Sequence, residues 1–106
     1  MKPIIDEVAK KLRDALKHGI CGFEGLYVFG SQVRGDATED SDVDIVAIFD
    51  QDRFNLPDEF HYILSQISYD YYDTVDIEVL PLTREQLNLN YIFHDEVVKK
   101  GVFYGV

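Results

Sequence analysis

Two aspartates separated by one apolar residue, Asp42 and Asp44, begin an otherwise apolar run that ends at Phe49. In a β-strand, successive side chains alternate between faces, so both carboxylates point the same way with their Cα atoms about 6.5–7 Å apart. Like charges at that spacing repel each other and raise the pKa of each carboxyl group. Since Mg²⁺ prefers oxygen ligands and shares its coordination with water and substrate phosphates, the pair predicts a site for a divalent cation.

A later apolar run, Thr74 to Leu80, has the same alternation and predicts a second acidic strand. Its apolar side chains take one face, while Asp76 and Glu78 lie on the opposite one. If this strand neighbours the first, three carboxylates can converge at one end of a sheet. The simpler interpretation is that the aspartates cap strand ends or pair with arginines, because short motifs often match by chance.

A glycine–serine pair, Gly30-Ser31, lies upstream and extends the pattern. Gly30 ends a predicted strand and Ser31 begins a predicted short helix, so backbone N–H groups and the positive end of a helix dipole are exposed there. Glycine lets a phosphate approach the backbone closely, and the serine hydroxyl adds a donor. An ordinary turn with Ser31 as N-cap is compatible with the same residues. A phosphate site beside carboxylates indicates metal-assisted phosphoryl or nucleotidyl transfer.

Hydrophobic periodicity places these residues in a mixed α/β (α+β) domain with a small sheet. The chain has 106 residues, which favours a single domain, 1–106. Thr83 and Gln86 have the spacing of a capping box, and Pro81 is expected to stop the preceding strand. The predicted elements are helices over 4–18, 57–72, from 83 and over about 91–100, and strands over 23–29, 42–49 and 74–80.

The charge and composition restrict the partners and the compartment. A net charge of −10, with scattered Lys and Arg, disfavours nucleic acid and favours a cation or a basic protein. No apolar run is long enough for a membrane helix, and the charged N-terminus lacks the apolar centre of a signal peptide. Cys21 is the only cysteine. We therefore expect a cytoplasmic protein without a membrane or nucleic-acid partner.

The spacing Gly30-Ser31, ten residues, Asp42-x-Asp44 resembles the hallmark of the DNA polymerase β-like nucleotidyltransferase superfamily. Its smallest members, the minimal nucleotidyltransferases (MNT), are similar in finer detail and in the C-terminal run YIFHDEVVKKGVFY. The finer pattern comprises Gly30, Ser31, Arg34, Gly35, Ala37, Ser41, Asp42 and Asp44. The resemblance implies the polymerase β-like fold, with helices packed on a small mixed sheet. It also implies a nucleoside triphosphate, usually ATP, and two Mg²⁺ ions, for which Mn²⁺ can substitute, held by three carboxylates.

The resemblance also assigns residues to roles. Asp42 and Asp44 match the family's metal-binding and catalytic pair, and Asp76 stands where the third carboxylate is expected, with Glu78 as the alternative. The predicted nucleotide-binding residues are Gly30, Ser31, Ser41 and Arg34. Arg34 equally fits an ion pair with Asp36 or Asp40.

Minimal nucleotidyltransferases of this kind are paired with HEPN-domain ribonuclease toxins, so the resemblance implies an antitoxin. Relatives block the toxin by transferring AMP from ATP to one of its tyrosines. Two alternatives are a non-catalytic antitoxin that masks its partner, and a nucleotidyltransferase that modifies a small molecule.

Overall fold

A computed structural model describes residues 1–38 and 41–106 of the chain. Its regular elements alternate between helices and strands, with a 3-10 turn at Arg53–Asn55 and a π-helical turn at Asp95–Lys99. The helices are α1 (Pro3–Gly19), α2 (Ser31–Arg34), α3 (Asp58–Asp70), α4 (Arg84–Leu89) and α5 (Tyr91–His94), and the strands are β1 (Phe23–Phe29), β2 (Val43–Phe49), β3 (Ile77–Leu82) and β4 (Val102–Gly105).

The four strands form one mixed sheet in the order β3-β2-β1-β4. Strand β2 is antiparallel to β1 and parallel to β3, and β4 is antiparallel to β1. The end of β1 and the starts of β2 and β3 therefore meet at one edge. Asp44 lies between Phe29 of β1 and Glu78 of β3 in the pairing register. The mixed α/β architecture expected from the sequence is confirmed.

Helices α1 and α3 cover one face of the sheet and enclose the larger core. Buried side chains recur along α1 at helical spacing, as predicted, and α3 adds Phe60, Ile63 and Ile67. The opposite face has a smaller core, in which Val46 and Ile48 of β2 pack against Leu87 and Val97. The short helices α4 and α5 and the π-helical turn form this second cover, which leaves the Asp44 end of the sheet accessible.

Two predictions about the C-terminal part of the sheet, the bounds of its third strand and the role of Pro81, are wrong. Strand β3 runs over Ile77–Leu82, not 74–80, and Pro81 pairs with Ala47 within it instead of stopping it. Proline is compatible with this position because β3 is an edge strand. Strand β4 was not predicted at all, since its four residues end in glycine and it pairs with a strand far away in the sequence.

The predicted helix over 91–100 is divided into α5 and the π-helical turn, which ends before Gly101 as expected. A Cβ on Gly101 would lie 2.9 Å from the carbonyl oxygen of Val28, so glycine allows the turn to pack closely on β1. The capping box at the start of α4 is confirmed, because Gln86 N donates to Thr83 Oγ1 and Thr83 N donates to Gln86 Oε1.

Two buried tyrosines join α1 to distant elements. The Tyr104 hydroxyl of β4 donates to Asp6 Oδ1 at 2.7 Å, and the Tyr71 hydroxyl after α3 donates to Glu7 Oε2 at 2.7 Å. Burial and the Asp6 carboxylate raise the pKa of Tyr104 to about 12. In the described part of the chain, no helix combines the length and apolarity needed to cross a membrane.

Candidate functional site

The loop after β1 forms a tight helical turn bounded by two glycines. Gly30 has a φ of 82° and Gly35 a φ of 86°, both in the region that favours glycine. The backbone N–H groups of Val33 and Arg34 donate to the Gly30 carbonyl oxygen, which forms the predicted short helix α2. Since Gly30 has no side chain to cap α2, the first N–H groups of the helix are available to a ligand.

Gly30 lies directly against the carboxylate of Asp44. A Cβ added to Gly30 would be 2.5 Å from Asp44 Oδ2, which is too close for any other residue without movement. The glycine therefore serves two purposes, because its backbone conformation starts α2 and its lack of a side chain leaves room for Asp44. The structure brings the predicted phosphate loop and the predicted acidic strand into contact.

Gln32 links the same two segments and was not found by sequence reasoning. Its side chain is buried, and Nε2 donates to the carbonyl oxygen of Ser41 at 3.1 Å, immediately before Asp42. A single glutamine in a four-residue helix has no sequence pattern that marks it as buried. Its hydrogen bond holds α2 against the chain that leads into β2.

The predicted nucleotide ligand Ser41 is used within its own loop. Its hydroxyl accepts a hydrogen bond from Thr38 N at 2.8 Å, and Ser41 N donates to the Thr38 carbonyl oxygen. Ser41 thus shapes the approach to Asp42. Its role in binding a nucleotide stays a prediction.

Asp44 is a partly buried carboxylate, and no cationic side chain in the described part of the chain forms an ion pair with it. Burial raises the pKa of Asp44, and the Asp42 carboxylate raises it further, while Arg34 and a hydrogen bond with Glu78 act in the opposite direction. Across residues 1–38 and 41–106, no ion pair joins Asp42 or Asp44 to Arg34 or Arg53. The simpler interpretation, that arginines neutralise these aspartates, is therefore not supported.

The two candidates for the third carboxylate lie two residues apart at the start of β3, Asp76 immediately before the strand and Glu78 within it. The Asp76 carbonyl oxygen accepts a hydrogen bond from Val43 N at 2.8 Å, which places Asp76 alongside the start of β2, and Glu78 pairs with Asp44. Both side chains are exposed. The apolar residues Ile77 and Val79 pack on the opposite face, as the alternation predicted. The backbone register thus favours Glu78 as the neighbour of Asp44.

These carboxylates share one edge of the sheet but do not form a closed cluster. Among the residues that the structure describes, no three carboxylate, imidazole or thiol groups lie close enough together to hold a metal ion. The donor set nevertheless fits a hard divalent cation in kind, because it consists of carboxylate oxygens beside an open cleft.

Arg34 is held by carboxylates on both sides of α2. Its Nη1 is 2.5 Å from Glu96 Oε1 in the π-helical turn, and its Nε is 3.4 Å from Asp36 Oδ2. The predicted ion pair with Asp36 is therefore present, while Asp40 lies outside the described residues. Glu96, also missed in the sequence, links the phosphate loop to the C-terminal cover of the sheet.

A cleft of about 380 Å³ opens beside Asp44. Its polar wall is formed by Asp44 and Glu78, and its apolar wall includes Leu80 and two aromatic rings, Phe29 and Phe93. These rings pack edge to face with centroids 5.5 Å apart. Such a volume is typical of a small-molecule site, and the wall chemistry suits a partly apolar ligand that carries a cation.

Comparisons with known proteins agree with this arrangement. The model of the nucleotidyltransferase domain family matches residues 5–105. A comparison with curated proteins found no match.

Solved structures share the fold at low sequence identity. A chain in the crystal structure of a toxin–antitoxin with AMP-PNP has a TM-score of 0.63 and 19% identity, with 92% of this chain and 73% of that chain covered. A chain in the tri-AMPylated Shewanella oneidensis HEPN toxin in complex with MNT antitoxin has a TM-score of 0.59 and 16% identity, covering 96% and 73%. A protein from Sulfolobus solfataricus classed with the nucleotidyltransferases has a TM-score of 0.53 and 25% identity, covering 95% and 79%.

Proposed function

Because the chain belongs to the nucleotidyltransferase family, as its motif predicted, we propose that it transfers AMP from ATP to a hydroxyl of a HEPN-family toxin. In this proposal the acceptor hydroxyl belongs to a tyrosine, and the chain acts as the antitoxin. The observation that carries the proposal is the contact between Gly30 and the Asp44 carboxylate, which joins a phosphate loop to an acidic strand.

The relatives with the same fold support the choice of nucleotide and partner. One was solved as a toxin–antitoxin with AMP-PNP, and another contains a tri-AMPylated HEPN toxin in complex with MNT antitoxin. A third is the MntA–HpeT complex in which two aspartates, two positions apart, were changed to glutamate. That spacing is the spacing of Asp42 and Asp44 in this chain.

In the proposed site, Asp42 and Asp44 hold Mg²⁺ together with Asp76, for which Glu78 is the alternative. Two Mg²⁺ ions, or Mn²⁺ in their place, supply charge neutralisation and orientation of the triphosphate when bound. The Gly30–Ser31 backbone approaches the phosphates closely because Gly30 carries no side chain, and the Ser31 hydroxyl donates to a phosphate oxygen. Arg34, predicted to bind the nucleotide, would have to exchange its contact with Glu96 or Asp36 for a phosphate oxygen.

The reaction is an in-line displacement at the α-phosphorus of ATP. The tyrosine oxygen forms a bond to this phosphorus, and the bond from the α-phosphorus to the bridging oxygen breaks, so that pyrophosphate leaves. The tyrosine proton passes to the Asp76 carboxylate, or to Glu78 if that residue is the third ligand. A tyrosine hydroxyl, with an ordinary pKa near 10, loses its proton more readily than a serine hydroxyl.

The test is to incubate the chain with the product of its neighbouring gene, which this proposal requires to be a HEPN toxin, Mg²⁺ and ATP labelled at the α-phosphate. Wild type should label the toxin, whereas ATP labelled at the γ-phosphate should leave it unlabelled. Asp76→Asn and Glu78→Gln, compared in parallel, decide which carboxylate is required. If the toxin is neutralised without receiving label, the chain is a non-catalytic antitoxin that masks its partner. If only a small molecule is labelled, the chain is a nucleotidyltransferase that modifies small molecules.

A further inference from the structure

Three large apolar side chains are almost fully exposed to solvent at the junction of α4 and α5. Leu89, Tyr91 and Ile92 are 80%, 85% and 85% exposed, and we refer to them as the 89–92 ridge. Single exposed apolar residues are common, but a cluster of large ones marks a surface that another molecule covers.

The 89–92 ridge adjoins the cleft beside Asp44. Phe93, the next residue, lines that cleft together with Asp44 and Glu78, and its ring packs on Phe29. Leu80, which is partly exposed on the edge strand, lines the same cleft and continues its apolar wall outward. A molecule seated on the ridge would therefore present its surface at the mouth of the cleft.

The charge around the ridge defines the chemistry of the partner. The segment from Asp76 to Asp95 contains four carboxylates and Arg84. Arg84 and Lys99, which lines a hollow with Tyr91, are already engaged, because Arg84 Nε is 2.8 Å from Glu24 Oε1 and Lys99 Nζ is 3.4 Å from Asp95 Oδ1. Since Asp76 and Glu78 are the candidate metal ligands, a complementary partner would bring apolar side chains for the ridge and Lys or Arg for Glu85 and for the net charge of −10 of the chain.

We propose that the 89–92 ridge is the docking surface for the acceptor protein, through an apolar patch rimmed by basic residues. Docking there holds one acceptor hydroxyl at the cleft, so that the ridge sets the affinity for the acceptor while the carboxylates set the rate of the chemical step. This inference rests on the proposed function, which supplies a protein as the acceptor.

The experiment compares a triple variant, Leu89→Ser with Tyr91→Ser and Ile92→Ser, with the control Phe54→Ser. Phe54 is 82% exposed and follows β2 at the end opposite Asp44, so the control removes one exposed aromatic side chain from another place, to be compared also with Tyr91→Ser alone. The product of the neighbouring gene, which the proposed function requires to be a HEPN toxin, serves as the probe. For the triple variant we expect KM for the toxin to rise about tenfold or more, with kcat and ATP affinity within about twofold of wild type. The control should match wild type in all three.

The outcomes separate this inference from the proposed function. Calorimetry without nucleotide measures toxin binding directly. Circular dichroism checks the fold of each variant. If the triple variant is unfolded, Ile92→Ser alone replaces it as a milder change. If wild type binds the toxin through the ridge but transfers no AMP, docking stands and the enzymatic proposal fails. If the ridge variants bind and modify the toxin as wild type does, the docking inference is overturned. It is equally overturned if sedimentation shows that the ridge joins two copies of this chain.

Discussion

The two faces of strand β2 differ in what covers them. On one face Val43, Ile45, Ala47 and Phe49 are all buried beneath α1 and α3. On the other face Val46 and Ile48 are buried by α4, α5 and the π-helical turn. Asp44 is not covered by these elements and lines an open cleft. One side of the strand therefore contributes to the core, and the other side holds the carboxylate to which the proposed chemistry is assigned.

This difference suggests that substitutions on the two faces have separable effects. The covered face contributes apolar burial, whose loss lowers the free energy of unfolding. The open end of the other face contributes Asp44, whose ionised carboxylate is partly desolvated and repelled by Asp42. The residue proposed to bind the cation therefore does not stabilise the fold.

The largest effect is expected from a cavity under the covered face. Leu12 of α1 is fully buried, and Leu12→Ala should lower the free energy of unfolding by about 2–5 kcal/mol. Urea denaturation measures this change, with Leu89→Ala as the exposed counterpart, for which we expect at most about 0.5 kcal/mol. AMP transfer per folded molecule of Leu12→Ala should equal that of wild type. A loss of transfer in the fully folded fraction would contradict the separation.

The opposite result is expected for Asp44→Asn. Transfer should fall at least about a hundredfold, since a proposed ligand loses its charge. Stability at neutral pH should not fall, because a pKa raised by folding means that the ionised carboxylate is disfavoured in the folded state and the neutral amide escapes this cost. Asp50→Asn, at the exposed far end of β2, is the matched control for both measurements. Equal activity of the two variants would remove Asp44 from the site.

Much of this arrangement could be predicted from local patterns. Helical spacing in α1, alternation in β2 and the capping box at Thr83 act over a few residues, so the sequence contains the whole signal. The glycine–serine pair and the two aspartates also predicted a phosphate loop beside carboxylates, and the structure shows that Gly30 and Asp44 are the residues in contact. The family match then confirmed the class of enzyme that this motif had indicated.

Other features depend on the register between distant segments, which a single sequence does not contain. Alternation placed Asp76 and Glu78 on one face, but only strand pairing shows that Glu78 is opposite Asp44. Strand β4 is too short to have a pattern of its own. Gln32 and Glu96 acquire their partners, Ser41 and Arg34, only when the loops are packed together.

Gly30 and Gly35, which bound α2, allow a further comparison between the candidate site and a nearby turn. Gly35→Ala places a side chain in the left-handed α region (φ 86°, ψ 7°), which should cost about 1–2 kcal/mol of stability. Gly30→Ala should cost more, because its backbone (φ 82°, ψ −151°) is in a region that is essentially restricted to glycine and because the new Cβ would meet Asp44, whereas nothing lies within 4 Å of a Cβ at Gly35. We therefore expect AMP transfer per folded molecule to be lost for Gly30→Ala and kept for Gly35→Ala. Two equally active variants would reduce Gly30 to a structural turn.

The smallest effect concerns the hydrogen bond between Tyr104 and Asp6 on the covered side. The pKa of Tyr104 is raised to about 12, so its stabilisation is complete below the ordinary tyrosine value of 10.0 and is lost as the pH rises through 12. The pKa of Asp6 is lowered from 3.8 by the Tyr104 hydroxyl and by Lys10, so its stabilisation is present above 3.8 and is lost as the pH falls.

Tyr104→Phe should accordingly lower Tm by a few degrees at neutral pH, and the difference from wild type should shrink at both extremes. Thermal scans of both proteins across this pH range measure it, with AMP transfer at neutral pH as the readout that should not change. If Tyr104→Phe and wild type differ in Tm by the same amount at every pH, the effect comes from packing and not from the hydrogen bond.

The measurement that tests the central claim most directly is a titration of the toxin's ribonuclease activity with this chain, with and without ATP and Mg²⁺. If the Asp44 end of the sheet is an AMP-transfer site, amounts of the chain far below those of the toxin should abolish ribonuclease activity, and only when ATP and Mg²⁺ are present. Asp44→Asn should lose this catalytic inactivation. The account would be contradicted if ribonuclease activity were abolished only at equal amounts of chain and toxin, equally well with or without ATP, and equally well by Asp44→Asn.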